Sequence, residues 1–321
     1  MFSDSHNAYP WDYWPHEDGR AECGYVGLTN LGATCYLASC IQHLYMLPQA
    51  RATILSAQIG ENCKHENTLK ELQRMFAYLL ESERKAYNPR GFCKVYTMDH
   101  QLLNTGEQKD MAEFFTNLIS KLEEMSPELK EMVKTLFCGV MSNNVVSLDS
   151  IDEITVKRHS LGCDNMYTCS QCGKRACLKK LPKILCFNMM RYTFSFVTNT
   201  KEKVNTHFSF PFQLDMSNYM EKNLIPQKHI EDNNGTDSEE DCYEYELIGV
   251  TVHTGNAEGG HYYSFIRERN QPGKDKWYLF NDSEVKLFDP THIAGECFGG
   301  EMTSKTYDSV TDKFMDFSFE K

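Results

Sequence analysis

The hydrophobic positions divide the chain into a helical first part and a strand-rich second part. From Cys35 to about Met132, apolar residues recur every three or four positions, which is the spacing of amphipathic helices. The apolar faces of three such helices are formed by Ile41, Leu44 and Tyr45; by Leu69, Leu72, Phe76, Leu79 and Leu80; and by Met111, Phe114, Phe115, Leu118, Ile119 and Leu122. Pro48, Pro89 and Pro127 are expected to mark helix ends.

After Phe137 the pattern changes to short β-branched or aromatic runs between turn residues, which predict antiparallel strands. The runs are VVSLD, EITVKRHSL, KILCFNMMRYTFSF, YEYELIGVTVHTG, HYYSFIRE, KWYLFNDSEV and KTYDSV. Residues 221–242 are acidic and nearly free of large apolar residues, so we expect a flexible insertion there. Helices followed by strands indicate an α+β fold with a cleft between the two parts.

Composition narrows the class of partner. The 321 residues carry a formal net charge of -12 with a pI near 5.4, which argues against nucleic-acid binding and against binding to anionic membranes. No apolar run approaches the roughly 18 residues of a membrane span. The first residues lack a signal-peptide core, and the 13 cysteines are odd in number and scattered. We therefore expect reduced thiols and a cytoplasmic or nuclear protein with a protein partner.

The segment GLTNLGATCYLASCIQHLY (27–45) suggests a reactive thiol. Cys35 follows a Gly-Ala-Thr turn at the predicted start of a helix, and a helix N-terminus favours the thiolate. Asn30, five residues earlier, could direct its amide at the oxyanion that forms when a thiolate attacks a carbonyl. The alternative is that Cys35 is a buried residue at a helix start. A partner base is needed to decide between them.

His261 is the best candidate for that base. It follows the glycine-rich loop TGNAEGG and opens a predicted strand, and Gly259 and Gly260 leave room beside it for a substrate chain. If this strand pairs with KWYLFN, Asn281 lies beside His261 and could orient its imidazole. Three other histidines are assigned structural positions on a helix flank, on a strand or turn, and at a strand end: His43, His207 and His253.

Five segments together resemble the ubiquitin-specific proteases, over about residues 25–320. They are GLTNLGATCYLASCIQHLY, NTGEQKDMAEFFTNLI, LPKILCFNMMRYTF, LIGVTVHTGNAEGGHYYSFIR and KWYLFNDSEV. The resemblance implies a papain-like cysteine protease with a helical thumb, an antiparallel β palm and β fingers. It also implies a deubiquitinase that hydrolyses the isopeptide bond after the C-terminal glycine of ubiquitin, with ubiquitin and ubiquitinated proteins as partners.

The resemblance also assigns roles. Cys35 matches the nucleophile, Asn30 the oxyanion-stabilising residue, His261 the general base and Asn281 the residue that orients the imidazole. Asp282 is an adjacent candidate, because some members carry Asp at the orienting position.

A second group of positions matches the binding site of the ubiquitin tail. Gln108 and Asp110 match thumb positions, and Gly259, Gly260 and Tyr262 match the loop beside the tail. The tail carries arginines, for which an aspartate is a suitable partner. The alternative for Gln108 and Asp110 is capping of a helix N-terminus, and the two roles are compatible.

The implied organisation is an extension followed by one catalytic domain. The expected boundaries are 1–24 for the extension, 25–321 for the catalytic domain, about 25–135 for the thumb, about 136–205 for the fingers and about 181–321 for the palm with its insertion at 221–242. The stretch from Val145 to Lys180 is shorter than fingers in this family usually are, so reduced fingers are expected.

Family fingers often hold a zinc ion with two CxxC pairs, since four thiolates close a tetrahedral site. Only Cys169 and Cys172 form such a pair here, with Cys163 and Cys177 nearby. These thiols either close one site or stay free. The sequence favours no zinc, and no cofactor is required.

Two other functions were weighed against the deubiquitinase. A catalytically silent ubiquitin-binding module is conceivable because of the short fingers and the absence of a further palm strand after FMDFSFEK, but the intact set of Cys35, His261 and Asn281 argues against it. A papain-like protease of general peptides is disfavoured by the tail-binding pattern and the reduced cysteines.

Overall fold

The computed structural model describes residues 19–60, 64–147, 167–168, 172–224, 242–269, 276–300 and 313–320. The α-helices in these ranges are Cys35–Met46 (α1), Pro48–Ser56 (α2), Glu66–Glu81 (α3), Arg90–Val95 (α4), Met111–Met125 (α5), Pro127–Phe137 (α6), Glu221–Leu224 (α7) and Ile293–Cys297 (α8), and two 3-10 helices are formed by Ser217–Tyr219 and Pro290–His292. None of them has the length and apolar character that crossing a bilayer requires.

The strands comprise short pairs in the helical part and longer strands after α6. They are Gly27–Leu28 (β1), Ala86–Tyr87 (β2), Thr97–Met98 (β3), Gln101–Leu102 (β4), Val140–Ser147 (β5), Tyr167–Thr168 (β6), Cys172–Lys180 (β7), Ile184–Phe187 (β8), Tyr192–Ser195 (β9), Thr200–Lys203 (β10), Gln213–Asp215 (β11), Glu244–Gly255 (β12), Gly260–Glu268 (β13), Lys276–Asn281 (β14), Glu284–Phe288 (β15) and Lys313–Glu320 (β16). The mixture of helices and antiparallel sheets confirms the α+β class.

A seven-stranded antiparallel sheet forms the palm. Its strand order is β15-β14-β13-β12-β16-β8, and β11 also pairs with β12. β12 and β13 form a hairpin in which Thr254 pairs with His261 near the turn. The residues from Tyr245 to His253 are almost all buried, because both faces of the sheet are covered.

Helix α1 lies in the main core between the other helices and one face of the sheet. All of its residues except His43 are buried, so it is a central helix and not a surface one. Its first residue, Cys35, is 1% exposed. A second core lies on the opposite face of the sheet and includes Tyr245, Trp277 and Phe319. Packing in the two cores positions the N-terminus of α1 relative to the first residues of β13.

Most predicted helices and strands form, with some differences at their edges. Leu80 is 41% exposed, so it does not belong to the apolar face of α3, whose buried residues end with Leu79. Pro48 and Pro127 begin α2 and α6, and Pro89 precedes α4, because proline fits the first turn of a helix. The prolines therefore mark helix starts.

Residues 19–24 pack on the domain, although the sequence assigned them to an extension. The Arg20 guanidinium donates to the carbonyl oxygens of Leu79, Leu80 and Ser82 at 3.2, 3.1 and 3.0 Å. These carbonyls at the end of α3 lack helical partners, and a cation there also complements the helix dipole. Arg20 is therefore part of the folded unit.

The acidic segment at 221–242 begins with a helical turn, Glu221–Leu224, whose Leu224 is buried against Cys177. The flexible insertion expected at 221–242 is therefore wrong for its first four residues. Residues 225–241 lie outside the described ranges. The predicted strands EITVKRHSL and KTYDSV also lie outside them.

Strand β16 was missed by the sequence analysis. Lys313–Glu320 pairs with β12 on one side and with β8 on the other, so it is an interior strand of the palm. Phe319 pairs with Leu247 and Leu185, and its ring contacts Phe187 with centroids 5.9 Å apart. Apolar and polar residues alternate in part of FMDFSFE, but its charged residues, Asp316 and Glu320, are more typical of a surface strand than of an interior strand.

We expect Phe319→Ala to lower the free energy of unfolding by about 3–5 kcal/mol, because it removes a fully buried ring from the second core. Denaturant unfolding of the 321-residue chain measures this effect. Phe196→Ala is the matched control, since Phe196 is 91% exposed and its removal should change stability by less than about 0.5 kcal/mol. Equal effects of the two substitutions would contradict the placement of β16.

Candidate active site

The loop before α1 is shaped by a close approach to the chain around Thr105. Ala33 N–H donates to Thr105 O at 2.7 Å. Gly32 has φ +124°, and a Cβ there would lie 3.0 Å from the same carbonyl oxygen. A side chain at this position would be strained both by the backbone conformation and by the lack of space. The loop therefore delivers Cys35 to the first turn of α1 beside the Thr105 segment.

Asn30 connects this loop to the palm. Its Oδ1 accepts hydrogen bonds from Gly32 N–H at 3.0 Å and Thr34 N–H at 3.1 Å. Its Nδ2 donates to Asp282 Oδ2 at 3.1 Å. The amide predicted to stabilise an oxyanion is thus directed toward a carboxylate of the β14–β15 turn, and it also organises the loop.

The structure brings together the three side chains of the predicted nucleophile, base and orienting residue. A hydrogen bond joins the Cys35 thiol to His261. His261 Nε2 lies 2.6 Å from Asn281 Oδ1 and 3.8 Å from Asp282 Oδ2. β13 and β14 pair as predicted, with Ser264 opposite Phe280. Since Nε2 faces Asn281, the other ring nitrogen, Nδ1, is left for Cys35.

The surroundings of Cys35 favour its thiolate. Burial is the largest single effect and raises the pKa, but it is outweighed by hydrogen bonds from His261, from the Tyr262 backbone N–H and from Gln108, so that the pKa of Cys35 is lowered. Gln108 Nε2 lies 3.3 Å from Cys35 Sγ. Donors directed at sulfur stabilise the negative charge.

The surroundings of His261 favour its imidazolium. The pKa of His261 is raised to about 9: the hydrogen bond with Cys35 has the largest effect, burial opposes it, and the hydrogen bond with Asn281 and the charges of Cys35 and Asp282 also raise the pKa. Cys35 and His261 thus stabilise each other as a thiolate–imidazolium pair. Such a pair supplies a nucleophile and a proton donor in one contact.

Gln108 and Asp110 lie at the start of α5, on the thumb side of the cleft. Asp110 Oδ1 accepts from Glu113 N–H at 2.9 Å, so Asp110 caps the helix as in the alternative raised from the sequence. Gln108 donates from Nε2 to Gly260 O at 2.6 Å as well as to Cys35. Gln108 therefore bridges the thumb, the nucleophile and the β12–β13 hairpin.

The hairpin loop beside His261 contains Gly259, Gly260 and Tyr262. A Cβ at Gly260 would collide with Thr254 O and lie 2.6 Å from His253 Nε2, whereas none of the described atoms is within 4 Å of a Cβ at Gly259. The Tyr262 side chain is 2% exposed and packs in the core, so it is not available to a substrate tail. Tail binding at Tyr262 therefore stays a prediction for its main chain, whose N–H lies at Cys35.

Comparison with known proteins identifies the family. The model of the family described as ubiquitin carboxyl-terminal hydrolase matches residues 26–308. The chain belongs to this family. The sequence resemblance and the papain-like α+β fold are thereby confirmed.

Relatives in animals support the assignment. The chain is 61% identical to ubiquitin carboxyl-terminal hydrolase puf of Drosophila melanogaster over 98% of its length, and 62% identical to ubiquitin carboxyl-terminal hydrolase 34 of Homo sapiens over 99%. It is 32% identical to human ubiquitin carboxyl-terminal hydrolase 24 over 94%. The chain spans only 10%, 10% and 13% of these three relatives, respectively.

Sequence reasoning missed one residue of the hydrolase site. His253 lies near the end of β12, as the sequence predicts, and pairs with Tyr262, the neighbour of His261. Its Nε2 is 3.4 Å from Gln108 Oε1. The available signal was the hairpin itself, since pairing through TGNAEGG places His253 next to the base.

The expectation that the finger cysteines of this hydrolase domain hold no zinc stays a prediction. Cys163 and Cys169 lie outside the described residues, and of Cys172 only the main chain, in β7, is described. Cys177 is buried beside Leu224. β5, β7 and β6 form a three-stranded sheet in this region.

Proposed function

We propose that this domain is a cysteine-type deubiquitinase that hydrolyses the isopeptide bond after the C-terminal glycine of ubiquitin. The observation that carries the proposal is the hydrogen-bonded set of Cys35, His261 and Asn281 at the N-terminus of α1. Family membership supplies ubiquitin as the modifier. Because the chain covers about a tenth of relatives such as puf, the substrates and partners of a longer protein are proposals too.

In the first step, the Cys35 thiolate attacks the carbonyl carbon of the isopeptide bond. The C–N bond breaks as His261 gives its Nδ1 proton to the leaving lysine amine, and a thioester remains on Cys35. Asn281 keeps the imidazole oriented through its 2.6 Å contact with Nε2. His261 is then neutral and ready to act as a base.

In the second step, water loses a proton to His261 and attacks the thioester. The carbon–sulfur bond breaks, ubiquitin leaves as a carboxylic acid that gives its proton to solvent, and the thiolate–imidazolium pair is restored. All groups come from the chain and water, so the proposed reaction requires no cofactor.

The oxyanion of each step needs hydrogen-bond donors. Asn30 donates one N–H to Asp282 at 3.1 Å, and the same nitrogen carries a second N–H. We assign this second N–H and main-chain N–H groups near Cys35 to the oxyanion. A preorganised donor of this kind contributes about 3 kcal/mol to catalysis.

The tail of ubiquitin is proposed to enter between the thumb and the β12–β13 hairpin. Asp110 uses Oδ1 as the helix cap, and a carboxylate retains further acceptor sites for an arginine of the tail. Gly259, where none of the described atoms lies within 4 Å of a Cβ position, leaves space beside His261 for an extended chain. This arrangement favours ubiquitin over general peptides, because recognition extends beyond the scissile bond.

Labelling with ubiquitin that carries a C-terminal electrophile tests the proposal. We expect one covalent adduct, on Cys35, and none with Cys35→Ala. Cys40→Ala is the matched control: Cys40 lies on the same helix, and burial raises the pKa of its thiol, so labelling should persist. A folded wild-type chain that binds ubiquitin but is not labelled would instead support the silent ubiquitin-binding module.

A further inference from the structure

We propose that His253 is a positioning residue that fixes the orientation of the Gln108 carboxamide toward the nucleophile, an inference that rests on the proposed thiol mechanism. The His253 side chain reaches the sulfur through Gln108.

Four groups form a continuous hydrogen-bonded chain that ends at the nucleophile. Tyr192 Oη lies 3.1 Å from His253 Nδ1, and His253 Nε2 lies 3.4 Å from Gln108 Oε1. Gln108 Nε2 then lies 3.3 Å from Cys35 Sγ and 2.6 Å from Gly260 O. The chain links the β9–β10 hairpin, the palm and the thumb.

The Gly260 carbonyl determines the direction of every bond in this chain. A carbonyl oxygen only accepts, so the Gln108 atom 2.6 Å away must be its NH₂ group. The Gln108 oxygen then faces His253, and Nε2 of His253 must carry the proton. Nδ1 is consequently the acceptor, and the Tyr192 hydroxyl donates to it.

This arrangement uses both hydrogens of the Gln108 amide, one for Gly260 O and one for the sulfur. If the amide turned over, its oxygen would face both the thiolate and the Gly260 carbonyl, and two acceptors would meet at each contact. His253 disfavours that state, because its Nε2–H requires an acceptor at Gln108. The imidazole thus selects the amide orientation that stabilises the thiolate.

His253 is held in place on several sides. Its ring lies between Tyr192, at a centroid distance of 6.0 Å, and Tyr262, at 4.5 Å. The Lys203 ammonium donates to the main-chain oxygen of His253 at 3.0 Å. Burial, the Lys203 charge and His261 lower the pKa of His253 to about 3, so it remains neutral beside the Cys35–His261 pair. A neutral ring keeps Nδ1 free to accept from Tyr192.

Two amide substitutions separate positioning from packing. In His253→Gln the side-chain nitrogen can occupy the place of Nε2 and donate to Gln108, whereas in His253→Asn it can reach only the place of Nδ1. We expect His253→Asn to lower kcat on a fluorogenic ubiquitin substrate about fivefold to tenfold with a smaller change in KM, and His253→Gln to retain most of the wild-type kcat.

The pH dependence of Cys35 alkylation by iodoacetamide, followed by mass spectrometry of the peptide that contains Cys35, reads the thiolate directly without ubiquitin. The groups that set this titration are His261, Gln108 and the Tyr262 N–H, with Asp282 acting on His261. We expect the midpoint in His253→Asn to move up by about half a pH unit, and that of His253→Gln to stay near wild type. Equal midpoints for both variants would overturn the proposal.

A double-mutant cycle tests whether His253 acts through Gln108. In a Gln108→Ala background, His253→Asn should cause no further rise in the midpoint, because the amide it orients is gone. Additive shifts would refute the proposal. If His253→Asn does not fold, Tyr192→Phe replaces it and should raise the midpoint in the same direction, and no shift there would be equally decisive. Wild-type labelling by the ubiquitin electrophile tests the proposed function separately.

Discussion

Replacing His261 with alanine is expected to lower kcat/KM for a fluorogenic ubiquitin substrate by about a thousandfold. The substitution removes the proton donor for the leaving amine and also the hydrogen bond that most lowers the pKa of Cys35. Both steps of the proposed reaction lose their acid and base, while the core around α1 stays intact. Steady-state kinetics at pH 7.5 to about 8 measures the effect.

The pH dependence should change together with the rate. In the wild type, activity should rise as Cys35 passes through its lowered pKa, and it should fall as the imidazolium is lost above about pH 9. In His261→Ala the fall at high pH should disappear, because no imidazolium remains to be deprotonated.

His292→Ala provides the matched control for this substitution. His292 is exposed and lies at the end of the short helix Pro290–His292, away from the site. We expect its kcat/KM to stay within about twofold of wild type, as for a surface substitution. If His261→Ala kept more than a tenth of wild-type activity while folded, His261 would not be the catalytic base.

The central site could be predicted from the sequence because its elements are local. Cys35 follows a glycine turn before a helix, and His261 and Asn281 sit at the ends of two strands joined by a short connection. The hydrophobic period and the turn residues predict where such a helix or strand begins and ends along the chain. Pairing of neighbouring strands then predicts which residues lie side by side. The family resemblance then joined Cys35 to the distant hairpin.

Contacts between distant segments could not be predicted in this way. Arg20 at the end of α3 and β16 between β12 and β8 both depend on which surfaces the folded domain leaves open. Tyr262 matches a tail-binding position of the family in the sequence. Side chains alternate across a strand, however, so the residue next to the half-buried base points into the core. The same alternation explains why His253 escaped attention.

Asn30 combines a proposed catalytic role with a structural one. The family resemblance implies an oxyanion donor at Asn30, and the structure adds four hydrogen bonds of its side chain, three within the loop and one to Asp282. β1 is held in register at the same place, because Leu28 N–H donates to Asp282 O at 2.8 Å. The β14–β15 turn therefore positions the oxyanion loop and the imidazole together.

Gly260→Ala is expected to lower the free energy of unfolding by about 3 kcal/mol and kcat/KM by at least about a hundredfold. The added methyl group would collide with Thr254 O and come within 2.6 Å of His253 Nε2. The hairpin must open to accommodate it, which displaces His261 from Cys35 and breaks the contact between Gln108 and Gly260 O. Denaturant unfolding and steady-state kinetics measure the two effects.

Gly259→Ala is the matched control, because it replaces a hairpin glycine without causing a steric collision. No described atom lies within 4 Å of a Cβ at Gly259, and its backbone does not require positive φ, so the free energy of unfolding should change by less than about 0.5 kcal/mol. Both variants add the same methyl group to adjacent glycines of the hairpin, so the collision at Gly260 is the difference between them. A Gly260→Ala variant as stable and as active as wild type would mean that the hairpin tolerates this expansion. The close approach of Gly260, His253 and Gln108 would then not be needed to keep His261 against the nucleophile.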